Sequence, residues 1–103
     1  MKKIITIMVL SLVLTGCQNK LREYGNHYQK HHDHGSLQKV VGLIEVGIDT
    51  SEVKKILGDP INFGFDYRYT TDLKGENGCI IGAVFHIDST GKIDQKWFGE
   101  ICE

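Results

Sequence analysis

Three cysteines and five histidines are the residues of this chain whose types could do chemistry, and their spacing separates them into groups. Cys17 stands alone near the start, whereas Cys79 and Cys102 lie in the second half. Four of the five histidines lie between His27 and His34. A cysteine thiol can be alkylated, oxidised to a disulfide or bound to a metal ion, and imidazole is a common metal ligand. Each group therefore raises a separate chemical question.

The first sixteen residues are typical of a secretory signal peptide. Two lysines precede an apolar run over residues 4–14. These eleven residues are fewer than the roughly twenty that a helix needs to cross a bilayer. A basic start, a short apolar stretch and then small residues form the usual order of such a signal. We therefore expect residues 1–16 to be removed on export.

The end of this run resembles the bacterial lipobox through the sequence Leu14-Thr15-Gly16-Cys17. The resemblance implies that cleavage follows Gly16, that the Cys17 thiol receives a diacylglyceryl group and that the new N-terminus is acylated. Several acyl chains together hold a protein firmly in a membrane, because each buried methylene contributes about 0.8 kcal/mol. Two alternatives stay open at this point: a plain secretion signal with a chance cysteine, and an N-terminal transmembrane helix.

The two remaining cysteines, Cys79 and Cys102, are predicted to form a disulfide. An even number of cysteines in a small exported domain is typical of such a bond. If Ile87 faces Ile93 across an antiparallel hairpin, Cys79 lies opposite Ile101, one residue from Cys102. This pairing brings both sulfurs within bonding reach. The alternative is a pair of unpaired buried thiols.

Residues 17–35 are predicted to form a flexible, polar, histidine-rich tether. Leu21 is the one aliphatic residue between Gln18 and Gly35, and no apolar period is sustained there. His27 and His31 are four residues apart, so a helical turn would place both imidazoles on one face as a metal clamp. These two are therefore candidate metal ligands. Composition favours a solvated tether, and no metal or other cofactor is expected.

Residues 36–103 are predicted to form one α+β domain. Apolar residues at helical spacing begin after Ser36, the expected N-cap, and are Leu37, Val40, Val41 and Ile44. A second helix follows Asp49, with Glu52 placed to complete a capping box. Alternating patterns over 63–70, 79–87 and 92–98 then predict three strands. The expected fold is two short helices packed on a three-stranded antiparallel meander, in the order ααβββ.

This order resembles that of the BamE-like family, the small SmpA/OmlA-type lipoproteins of outer-membrane assembly. The resemblance rests on "GIDTSEV" at 47–53 continuing to "LGDP" at 57–60, on "FDY" at 65–67 and on "IDSTGKI" at 87–93. It covers roughly residues 37–97 and implies a domain that binds envelope proteins. No binding residue of the family can be placed on this chain.

The sequence does not favour an enzyme, because it contains none of the common hydrolase, zinc-protease or phosphate-loop motifs. The formal charge of −1 gives no basic excess for binding nucleic acid. We therefore predict a lipid-anchored protein-binding module of the envelope. Gln18, rather than aspartate, follows Cys17, which by resemblance places the protein on the periplasmic face of the outer membrane. The alternative is an inhibitor, immunity or exclusion lipoprotein of mobile-element type.

The strand pattern also predicts which individual side chains face the core and which face solvent. Tyr69 and Trp97 belong to residue types that are common in binding sites, but a core position is predicted for both. His86 is predicted to point outward from the second strand.

Overall fold

The computed structural model describes residues 19–102, so the signal peptide at 1–16 and Cys17 lie outside the described residues. The elements in chain order are helices α1 (described over 19–31), α2 (His34–Leu43) and α3 (Thr50–Leu57), and strands β1 (Ile61–Asn62), β2 (Asp66–Lys74), β3 (Ile80–Ile87) and β4 (Ile93–Ile101). The strands form one antiparallel sheet in the order β1-β2-β3-β4. The α+β class is confirmed, with one helix and one strand more in residues 19–102 than predicted.

The hydrophobic core lies between the helices and one face of the sheet, which we call the inner face. The four apolar residues predicted for the first helix stripe are all buried, three of them on α2 and Ile44 at its C-cap, and Val53 and Leu57 are buried on α3. The inner face of the sheet contributes Tyr67, Tyr69, Ala83, Phe85 and Ile93. Helix α2 contacts strands β2, β3 and β4. The helical period therefore identified the buried face of α2 correctly, and the two-residue period identified Tyr67 and Tyr69 on β2.

Helix α1 replaces the flexible tether that was predicted for residues 17–35. Tyr28 is only 3% exposed, and its hydroxyl donates a 2.6 Å hydrogen bond to the backbone carbonyl of Thr70 on β2. Its ring also meets the Tyr69 ring edge-on, with 6.2 Å between the centroids. This segment is therefore part of the folded domain.

The physical reason lies in a helical stripe built mainly from tyrosine. Leu21, Tyr24 and Tyr28 are spaced i, i+3 and i+7, and the first two pack partly buried against the core. Tyrosine buries a large apolar ring and can still satisfy its hydroxyl. Counting aliphatic residues alone therefore underestimated the apolar surface of this segment.

Helices α1 and α3 approach each other at Gly25. A Cβ atom at this position would clash with the backbone carbonyl of Ile56 and contact the Ile56 side chain. One turn later, the Gln29 amide nitrogen donates a 2.9 Å hydrogen bond to the same Ile56 carbonyl. The side chain of Gln29 thus satisfies a carbonyl in the last turn of α3, which has no partner within its own helix.

We expect Gly25→Ala to destabilise the protein by about 1–3 kcal/mol, because overpacking forces α1 away from α3. Gly42→Ala is the matched control. Gly42 also lies in a helix, α2, but a Cβ there would meet nothing within 4 Å. This control should stabilise by about 0.5–1 kcal/mol through helix propensity. Urea unfolding of both variants measures the difference, and a shift of the same sign in both would contradict the close contact.

The first predicted strand begins three residues later than expected. A turn precedes β2, because Gly64 adopts a φ of +87° and its N–H donates a 2.8 Å hydrogen bond to Asn62 Oδ1. The turn allows the two residues of β1 to pair with Tyr67 and Arg68 of β2. Phe63 and Phe65 consequently lie outside the strand and are about half exposed.

The predicted helix caps are also different. Helix α2 begins at His34 with Asp33, not Ser36, as its N-cap. Asp49 is the N-cap of α3, but its side chain makes no capping hydrogen bond, so the predicted capping box is wrong. The backbone here pairs with the β3–β4 turn instead, since the Thr50 N–H donates to the carbonyl of Gly91 at 3.1 Å.

Candidate functional site

The face of the sheet opposite the core, which we call the outer face, carries a row of side chains across all four strands. Ile61 pairs with Arg68, Arg68 with Val84, and Val84 with Trp97. Directly paired residues of antiparallel strands point to the same face. The sheet thus aligns residues that are up to 36 positions apart in the sequence.

This row is part of an exposed apolar patch. Ile61 is 50% exposed and Trp97 is 49% exposed. Phe63 follows β1 directly, its ring lies 6.3 Å from that of Phe65, and the Arg68 guanidinium carbon lies 4.6 Å from the centre of the Phe63 ring. The patch therefore combines apolar and aromatic area with a cation–π contact.

A β-bulge explains why Trp97 lies on the outer face and not in the core as predicted. Ile87 pairs with Ile93 as expected, but the register shifts by one residue between His86 and Ile87. Without that shift Trp97 would face Ala83 of the core, and a one-residue slip exchanges the two faces of a strand. Phe98 faces Ala83 instead and packs against the core. The core position predicted for Tyr69 is correct.

Gly99 provides space beside the indole of Trp97. Gly82 and Gly99 pair directly across β3 and β4. A Cβ atom on Gly99 would lie 3.1 Å from Cζ2 of Trp97, so the ring sits close to the glycine backbone. The indole is thereby held near the sheet surface while half of it stays accessible.

Carboxylates border the patch. On the outer face, the Asp66 carboxylate lies 3.4 Å from the Arg68 guanidinium, and both side chains are largely buried. His86 is exposed, as predicted, and its Nδ1 lies 2.6 Å from an Asp94 carboxylate oxygen.

Lys96 points to the inner face, where its ammonium donates hydrogen bonds to the carbonyls of Val41 and Ile44 at 2.7 Å each. It therefore stabilises the carbonyl end of α2.

The histidines of residues 27–34 are organised by the turn between α1 and α2. His27 Nδ1 lies 2.8 Å from an Asp33 carboxylate oxygen and 2.8 Å from the Ser36 hydroxyl. The other Asp33 oxygen accepts the Ser36 N–H at 2.9 Å as the cap of α2. Partial desolvation opposes ionisation of Asp33, but hydrogen bonds from Ser36 and His27 outweigh it and lower the Asp33 pKa to about 2.

The structure brings together the two histidines that were candidate metal ligands. The rings of His27 and His31 lie 4.5 Å apart on successive turns of α1, and both residues are exposed. The other two histidines of the segment have different neighbours. His32 stacks on Tyr28 at 5.1 Å, and His34 meets Phe98 edge-on at 5.1 Å.

The disulfide joins Cys79 and Cys102, with 5.3 Å between their Cα atoms. Because the bulge shifts the register, Ile80 pairs with Ile101 and the two cysteines follow directly at the open end of the hairpin. The Glu100 carboxylate accepts the backbone N–H groups of Asn77 and Cys79 nearby. Both sulfurs and this carboxylate lie within 4.8 Å of one another, but the disulfide leaves no thiolate to bind a metal ion.

Comparison with known proteins identifies one feature of the chain. The model of the prokaryotic membrane lipoprotein lipid attachment site matches residues 1–18, in which Cys17 is the one cysteine. A site of this kind implies an exported lipoprotein anchored to a membrane. No curated protein and no solved structure matches the chain. In residues 19–102, no helix has the length and hydropathy of a membrane span.

Proposed function

We propose that this chain is a non-catalytic lipoprotein that is anchored through Cys17 and binds an envelope protein through the outer face of its sheet. The observation that carries the proposal is the half-exposed patch around Trp97 and Phe63. The core buries the ring of Phe85 and those of three tyrosines, whereas Trp97 and Phe63 stay about half exposed, and an exposed apolar patch of this kind is typical of an interaction site. In this proposal the lipid holds the protein at the membrane, and the patch binds the partner.

The chemistry of the patch favours a protein partner over the lipid surface. Tryptophan and arginine are enriched at the centres of protein interfaces, and Trp97 and Arg68 lie in the same cross-strand row. Surfaces that lie on membranes usually surround apolar residues with lysine and arginine. Here the exposed charged side chain beside the patch is that of Asp94, which is paired with His86, and the lysine of β4 contacts α2. We therefore expect a partner that offers an apolar surface with basic or polar groups around it.

Two sequence features extend the proposal to the place of action. Gln18 follows the lipid-attachment cysteine, which supports the outer membrane and its periplasmic face. The BamE-like motifs support a role beside outer-membrane proteins or in envelope integrity. In the structure these motifs form the α3 termini, the start of β2 and the β3–β4 turn, so they support this role through the fold, and no binding residue of the family is carried over to this chain.

Site-specific photo-crosslinking in intact cells tests the proposal. A photoreactive residue at Trp97 or at Phe65 should yield an adduct with the same envelope protein. The matched control is Lys39, which is exposed on α2 in the opposite layer and should yield no such adduct. Absence of a protein adduct from both outer-face positions, or an equal adduct from Lys39, would contradict binding through this face.

The Cys17→Ser variant separates anchoring from recognition. Produced behind a signal peptide that is cleaved without lipid attachment, this variant should leave the membrane fraction, because the thiol that accepts the lipid is missing. Retention in the membrane after an alkaline wash would contradict the anchor, whatever the crosslinks show. Purified partner should still bind this soluble form through the outer face.

A further inference from the structure

The exposed side of α1 carries two neighbouring imidazoles with a defined geometry. His27 and His31 are one helical turn apart, and their ring centroids are separated by 4.5 Å with an angle of 43° between the planes. Residues at i and i+4 share one face of a helix, which is the arrangement by which two histidines bind a single metal ion. The sequence alone predicts this arrangement only for a helical segment, and the structure shows that residues 19–31 are helical.

A carboxylate orients the first of these rings. His27 Nδ1 lies 2.8 Å from Asp33 Oδ1, and an ionised carboxylate can only accept a hydrogen bond. The proton of the neutral ring is therefore on Nδ1, and the lone pair is on Nε2. Histidines that bind metal ions usually donate their second N–H to a carboxylate or carbonyl in this way, because the contact holds the tautomer and the ring orientation.

The fold also holds the pair in place. Tyr28, between the two histidines, anchors α1 to the carbonyl of Thr70. Asp33 is fixed by its role as N-cap of α2, where it accepts the N–H of Ser36. The His27 ring is therefore already oriented before a metal ion binds.

We propose that His27 and His31 form a binding site for one divalent transition-metal ion of the Zn²⁺ or Cu²⁺ type. Imidazole nitrogen suits these ions, whereas Mg²⁺ and Ca²⁺ prefer oxygen ligands. Two protein ligands leave further coordination positions for water or for a donor from a partner. Asp33 acts as a positioning residue. The site lies in the helix layer, so metal binding is separate from binding through the outer face.

Titration with Zn²⁺ alone, followed by calorimetry, tests the site. The sample is the full chain purified in detergent with its disulfide intact and with an affinity tag that contains no histidine. We expect one ion per chain for the wild type. His27→Ala and His31→Ala should each weaken binding at least about tenfold, because each removes one of two ligands. Asp33→Asn keeps a side chain that can cap α2 and should weaken binding about 10- to 100-fold.

His86→Ala is the matched control. His86 is also exposed and its Nδ1 also contacts a carboxylate, that of Asp94, but it has no second histidine one helical turn away. This variant should bind Zn²⁺ as the wild type does. Cu²⁺ added to the wild type should show two equivalent nitrogen ligands by electron paramagnetic resonance, and one in His31→Ala.

Several results would overturn the proposal. A Zn²⁺ affinity in His31→Ala equal to that of the wild type would contradict the site directly, since this exposed side chain can be removed without disturbing the core. Binding lost in His86→Ala would place the ion on the sheet. Binding seen only after reduction of the disulfide would assign it to Cys79, Cys102 and Glu100 instead.

Discussion

Replacing Tyr28 with alanine is expected to lower the free energy of unfolding by about 3 kcal/mol or more. The side chain is almost fully buried between α1 and the sheet, and large-to-small substitutions of buried aromatic residues cost about 3–5 kcal/mol. The change also leaves the Thr70 carbonyl without its 2.6 Å partner. Urea unfolding gives the free energy, and amide hydrogen exchange should show that residues 19–31 lose protection.

Tyr28→Phe separates the two contributions. It keeps the ring against Tyr69 but removes the hydroxyl, so we expect a loss of about 1–2 kcal/mol. Equal losses in the alanine and phenylalanine variants would show that ring packing contributes little. If neither variant changes the stability or the protection of α1, the docking of this helix onto the sheet is wrong.

The double variant Cys79→Ser/Cys102→Ser should be less stable than the oxidised protein by about 3 kcal/mol. The two cysteines are separated by 23 positions in the sequence, and a cross-link over a loop of about this length removes a corresponding amount of entropy from the unfolded chain. Denaturant unfolding of both proteins measures the difference. Circular dichroism should show that the double variant still folds.

A reducing agent provides the control for this variant. It should lower the stability of the wild type to that of the double variant and should leave the double variant unchanged. Reduction without effect on the wild type would mean that the 75–79 turn is held by the Glu100 hydrogen bonds alone. That outcome would contradict a stabilising role for the disulfide.

The parts of the fold that could be predicted are those where burial follows a simple period. Val40 and Val41 are buried on α2 because four apolar residues recur at helical spacing. Tyr67 and Tyr69 are buried on β2 because they lie two positions apart and therefore both point to the inner face of the sheet. In such cases the local pattern and the tertiary contact agree.

Helix α1 was missed for a different reason. Among its residues, Tyr28 contributes buried area although it is not aliphatic, and the glycine at position 25 is typical of a helix breaker. Gly25 favours the fold only because Ile56 of α3 packs directly against it, and this contact leaves no room for a side chain. The contact depends on α1 and α3 together, so the sequence of either helix alone does not predict it.

The outer-face row could not be predicted because a bulge decides it. The residues of β4 near Trp97 do not alternate strictly between apolar and polar, so the sequence permits either register. One extra residue at the start of the strand exchanges the faces of Trp97 and Phe98 and also brings Cys79 opposite Cys102. The predicted disulfide was therefore reached from a register that is wrong by one residue.

Helix α1 also affects how far the domain can reach from the membrane. Its thirteen described residues begin two positions after Cys17 and span about 20 Å at 1.5 Å per residue. A flexible chain of the same segment would let the domain sample many heights and orientations. A helix fixed to the sheet by Tyr28 acts as a short rigid spacer, so the Trp97 face moves as one body with residues 19–31. The partner proposed for this face would then be sought by diffusion within a thin layer along the bilayer, and it would have to present its own surface at that height.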